Sequence, residues 1–135
     1  MHRLSLVSLL AFVLSSGAFA QTANPYNGTW TITFEGRKTE GLESTVVVKD
    51  EGGTYHEGAS ARQNRRAQGE MNDPCVGRDV PISVQVASSE ELVFKVNRSQ
   101  VLTGCNDRTF KFKKVDDKTL KAETTDGRVI TLARK

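Results

Sequence analysis

From Thr29 onward the apolar residues of this chain recur at every second position, and no stretch longer than one or two turns carries them at helical spacing. That feature restricts the fold more than any other. A period of two sorts side chains onto the two faces of an extended strand, whereas a helix needs its apolar stripe at three- and four-residue intervals. Trp30, Ile32 and Phe34 alternate with Thr29, Thr31 and Thr33. Further runs of the same kind are LESTVVVKD, TYHEG, DVPISVQVA with Val80, Ile82, Val84 and Val86 inward, and ELVFKV with Leu92, Phe94 and Val96 inward. TFKFKK sets Phe110 and Phe112 against Lys111 and Lys113, and TLKAE and RVITLAR complete the series. Turn residues separate neighbouring runs: Glu51-Gly52-Gly53, Ser88-Ser89-Glu90, Asp116-Asp117 and Asp126-Gly127. Pro81 falls on the outward face of its strand and implies an edge or a bulge there, because proline cannot donate to a ladder. Residues 59–73 read as a strand, a long loop or part of each, and residues 98–104 as a helical turn.

Tight connections between sequence neighbours make an antiparallel meander. With one dry face and no amphipathic helix to cover it, the sheet must fold over on itself. The expectation is an all-β domain, a small antiparallel up-and-down β-barrel of seven or eight strands, with a β-sandwich as the alternative.

Residues 1–20 have a short basic start (His2, Arg3), an apolar run and an end in Ala18-Phe19-Ala20, the layout of a secretory signal peptide cut before Gln21. An uncleaved anchor is the alternative, although the run is short for a span of about 20 apolar residues. No second apolar stretch follows, so no membrane insertion is expected after cleavage. Residues 21–135 then suit a single domain, with a periplasmic or secreted location. Of the 19 Lys and Arg only Arg3 leaves with the signal, against 16 Asp and Glu retained. So weak a positive balance does not indicate nucleic acid, which needs clustered charge.

Cys75 and Cys105 are an even pair in an exported chain and are expected to form a disulfide. A metal site shared with His56 is the rival, weakened by the lack of any paired-cysteine spacing. No metal and no cofactor are therefore expected.

Gly28-Thr29-Trp30 resembles the Gly-x-Trp that opens the first strand of lipocalins and the wider calycin group, small up-and-down barrels of exported proteins. The resemblance implies that a basic residue near the end of the last strand packs over the tryptophan and closes the barrel. Arg134 is in position for that cation–π contact, so Gly28, Trp30 and Arg134 become the barrel-closing set. The chain is shorter than an ordinary lipocalin, lacks the Thr-Asp-Tyr motif and shows no helix after the barrel, which puts a deep ligand cavity in doubt. Short bacterial calycins that inhibit secreted metalloproteases are closer in size, though QTANPY does not match their inhibitory segment.

Signatures of catalysis are missing. His56 and Glu57 fall on opposite faces of a strand, and there is no nucleophile elbow, paired-histidine zinc motif or phosphate-binding glycine loop. Asp116-Asp117 and Asn72-Asp73 read as turns. The ligand-binding candidates are Arg62, Arg65 and Arg66, planar donors suited to carboxylate or phosphate, together with His56. Both the arginines and the outward Lys95, Lys111 and Lys113 read equally as solvated surface. The inward phenylalanines leave no stacking platform for nucleic acid. The sequence thus points to a non-enzymatic exported binding protein for an unknown small apolar ligand or an envelope or secreted protein. A periplasmic protease-inhibitor-like or envelope accessory role is the alternative.

Overall fold

A computed structural model describes residues 22–37, 43–58 and 74–135. Eight strands follow one another: β1 (Gly28–Phe34), β2 (Ser44–Lys49), β3 (Gly52–His56), β4 (Asp79–Ala87), β5 (Glu91–Val96), β6 (Arg108–Asp116), β7 (Thr119–Glu123) and β8 (Val129–Arg134). Each pairs antiparallel with the next, and β8 returns to β1 with Trp30 opposite Arg134 and Phe34 opposite Ile130, so the sheet closes into a barrel. The up-and-down expectation holds, and closure leaves no place for the two separate sheets of a sandwich. Closure also leaves none of the eight strands with an unpaired edge.

The inward faces fill the interior. Trp30, Ile32, Phe94, Phe110 and Phe112 are buried in one cluster, with Phe34 and Val84 packed against it. The rings of Phe94, Phe110 and Phe112 lie 5.5 to 5.9 Å apart. Eight strands enclose a space just wide enough for side chains to occupy, and here aromatic rings occupy it.

Three local expectations change. Val86 points outward and is 38 % exposed, because a bulge between Val84 and Val86 reverses the parity of β4. That bulge lies beyond Pro81, which sits near the start of β4 opposite Thr54 with no edge beside it. The β2–β3 turn is Asp50-Glu51, with Lys49 opposite Gly52 and Asp50 at φ 53°. The glycines begin β3 instead: Gly53 has φ 133°, and a Cβ there would stand 1.9 Å from the Val47 carbonyl oxygen. Residues 98–104 open with a 3₁₀ turn, Arg98–Gln100, in agreement with the helical turn expected there.

Hairpins β2–β3, β4–β5 and β6–β7 gather at one end of the barrel, and the described residues that follow β1, β3, β5 and β7 lie at the other. Cys75 and Cys105 form a disulfide with Cα atoms 5.7 Å apart, joining two of the connections at this second end. The signal-like residues 1–20 lie outside the described residues.

Candidate functional site

The two ends of the barrel are built differently. The hairpin end is sealed by the segment just before β1. Asn24 Nδ2 donates to the Asp50 carbonyl, Asn27 Oδ1 accepts from Asp50 N–H at 2.7 Å, and Tyr26 Oη donates to the Ser88 carbonyl at 2.6 Å. The hydrogen bonds to Asp50 hold that non-glycine residue in the left-handed region. Trp30 Nε1–H donates to the Tyr26 carbonyl at 2.9 Å. Arg134 lies 4.3 Å from the Trp30 ring centroid and donates to the carbonyls of Asn27 at 2.7 Å, Pro25 at 3.0 Å and Asp117 at 3.3 Å. Gly28 has φ 135°, and a Cβ there would meet the Arg134 guanidinium at 3.0 Å. These contacts account physically for Gly28, Trp30 and Arg134 at their positions. They also tie all three hairpins to one strap.

Beside the strap is a half-open cleft of about 330 Å³, lined in part by Tyr26, Ser88, Lys114, Asp117 and Arg134. Its charges are mutually engaged: Lys114 Nζ reaches Asp117 Oδ1 at 2.8 Å. That bond holds the Asp117 carboxyl below its ordinary range and raises the Lys114 ammonium above its own.

At the other end two arginines clasp one carboxylate, and a third lies over an aromatic ring that one of them shares. Strand parity carried one step past β3 turns Glu57 inward, where it is only 7 % exposed. Arg37, just after β1, reaches Glu57 Oε1 at 2.5 Å, and Arg98 of the 3₁₀ turn bonds Oε2. A carboxylate so buried is tolerable only when paired, and here it joins three connections of the barrel. Arg108, the first residue of β6, faces inward with Val96 opposite. Its guanidinium stacks 4.6 Å from the Phe110 centroid and 5.7 Å from that of Phe34, and Arg37 lies 5.4 Å from the same Phe34 ring. Arg98 lies 5.8 Å from the Tyr55 ring centroid.

Tyr55 is 1 % exposed, yet among the described residues its hydroxyl has no hydrogen-bond partner, and Arg98 Nε is likewise unpartnered. Burial pushes the phenol above its ordinary pKa, with Glu57 adding to the rise and Arg98 and Arg108 opposing it, so the hydroxyl keeps its proton. Buried polar groups are nearly always hydrogen-bonded, and one left single needs an explanation.

The residues anticipated from sequence fall apart in space. His56 lies on the outer wall, its Nδ1 2.8 Å from Asp79 Oδ1, away from the inward Glu57. Arg62, Arg65 and Arg66 lie outside the described residues. Lys95, Lys111 and Lys113 do share the outer face of β5 and β6, but Lys95 pairs with Asp107 and Lys111 with Glu91, which breaks the basic stripe. Among the described residues no group of three His, Cys, Asp or Glu side chains could hold a metal ion, and no helix is long and apolar enough to cross a membrane. The cluster of Arg37, Tyr55, Glu57, Arg98 and Arg108 escaped the sequence reading. Its one local signal was the inward parity of Tyr55 and Glu57 on either side of His56.

A scan against protein-family models and searches of curated proteins and of solved structures return no match. The closed eight-strand form is compatible with a calycin-like barrel.

Proposed function

We propose that this protein is a non-catalytic binding protein of the periplasm or the cell exterior, and that it engages its ligand at the arginine end of the barrel. The observation that supports this reading most is the inequality of the two ends. One is closed by hydrogen bonds to the strap, while the other holds a buried hydroxyl and a guanidinium N–H with no partners among the described residues, beside three partly exposed arginines. The Cys75 to Cys105 disulfide fits an oxidising compartment. A calycin-like ancestry, suggested by Gly28, Trp30 and Arg134, accords with a carrier or inhibitor role. The packed interior favours a ligand held at the rim over one swallowed whole.

The test is native mass spectrometry of protein isolated gently from its own source, followed by hydrogen-exchange mapping with and without any co-purifying species. Protection of residues 34–37, 55–58 and 98–108 supports the proposal. Protection restricted to the strap and the three hairpins overturns it.

A further inference from the structure

The arginine end contains more donors than it can use. Glu57 takes one oxygen to Arg37 and the other to Arg98, which accounts for the only carboxylate in contact with the cluster among the described residues. Among the described residues Arg98 Nε–H is left over, and so is the Tyr55 hydroxyl, both of them buried. The Arg108 guanidinium rests on Phe110 and Phe34 and has no carboxylate partner among the described residues. A guanidinium only donates, so both arginine groups call for an acceptor, and a hydroxyl can donate to the same one. Arg98 and Arg108 are also cations, so the acceptor they call for is best an anion. An oxygen-rich anion meets both demands, since charge-assisted hydrogen bonds are the strong ones and arginine's planar fork matches an oxyanion.

The surroundings narrow the class further. Phe34 and Phe110 lie beneath the Arg108 guanidinium with their centroids 6.3 Å apart. Phe34 is only partly buried, so it offers apolar surface beside the charges. A bare inorganic ion would use the donors and leave this surface unused.

We infer that Tyr55, Arg98 and Arg108 form a receptor for the oxyanion head of a small organic acid, with the partly buried Phe34 taking its apolar part. The inference rests on the reading of the arginine end as the binding end and adds the ligand's chemistry. Glu57 positions the receptor without touching the ligand, because its two oxygens are already committed to Arg37 and Arg98.

Benzoate and its uncharged near-isostere benzyl alcohol are the probes, titrated in parallel into the full mature chain while the arginine Nε–H and tyrosine ring resonances are followed by NMR. Benzoate should shift Arg98, Arg108 and Tyr55 saturably, and benzyl alcohol should bind at least about tenfold more weakly. Tyr55→Phe and Arg108→Gln should each weaken benzoate about tenfold. Lys113→Gln on the outer wall should leave the titration unchanged. Tyr55→Phe removes a hydroxyl with no hydrogen-bond partner among the described residues, and an unchanged melting curve verifies that lost binding is not lost folding. Equal responses to both probes at these resonances would sink the oxyanion receptor and keep the arginine end as the binding end. No saturable benzoate response, or one indifferent to both variants, overturns the receptor as well. Only protection at the opposite end, in the exchange mapping above, removes the underlying reading.

Discussion

Removing the Arg134 side chain should loosen the sealed end by an amount that its contacts allow to be worked out. The guanidinium stacks on Trp30 at 4.3 Å, and a partly buried pair of this kind is worth about 1 kcal/mol. Its two shorter hydrogen bonds, to Asn27 at 2.7 Å and Pro25 at 3.0 Å, together contribute about 2 kcal/mol once solvent competition is allowed for. The contact with Asp117 at 3.3 Å adds little. Arg134→Ala should therefore cost about 3 kcal/mol, which lowers the melting temperature of a domain this size by roughly 10 to 20 °C. Arg134→Lys keeps the charge but not the fork, so it should lie about midway. The assay is thermal unfolding of the oxidised protein followed by fluorescence, for which Trp30 is the sole tryptophan and sits under the mutated group. A melting point for Arg134→Ala within about 4 °C of the parent would refute the reasoning. Full recovery by lysine would show that charge alone, and not the planar fork, holds the strap.

Three further outcomes are expected. Tyr55→Phe should leave the free protein as stable as before or raise its stability by up to about 1 kcal/mol, read from urea midpoints, because an unpartnered buried hydroxyl is a liability; a clear loss would mean that the hydroxyl has a partner. Reducing the disulfide, whose cysteines are 30 residues apart, should cost about 3.5 kcal/mol on the chain-entropy model, and denaturant unfolding with and without reductant measures it. The Asp126 carboxyl, held down to about 2 by the Thr124 hydroxyl and then by Arg128, should titrate by carbon-detected NMR below the ordinary aspartate range. Its folded value is depressed, so its contribution to stability is present above the unfolded value of 3.8 and is lost as pH falls towards 2. Asp126→Asn should flatten the stability profile in that window, and an unchanged profile would contradict the assignment.

The strands were legible because burial on one face imposes a period of two, which Trp30, Ile32 and Phe34 or Phe110 and Phe112 display without help from the rest of the chain. The barrel seal was legible for a different reason. Gly28, Trp30 and Arg134 form a recognisable combination, and the pairing of Trp30 with Arg134 follows once the first and last strands meet. What stayed hidden depends on distant partners. Glu57 looks like an ordinary acid at the end of a strand until Arg37 and Arg98, 20 and 41 residues away, converge on it. Asp50 takes the conformation one would assign to a neighbouring glycine because Asn27, 23 residues earlier, bonds its backbone. Val86 fell on the wrong face because a single bulge inverts every assignment downstream of it in β4, and no residue type announces where a bulge will form.

The pairing of β1 with β8 has a consequence for how such a molecule is made. The wall is zipped shut by β8, the strand farthest along the chain from β1, and Lys135 N–H still donates to the Thr29 carbonyl. A ribosome releases seven strands before the contact that completes the ring can exist. Folding in this architecture awaits the tail, as expected where pairing joins the most separated parts of a chain.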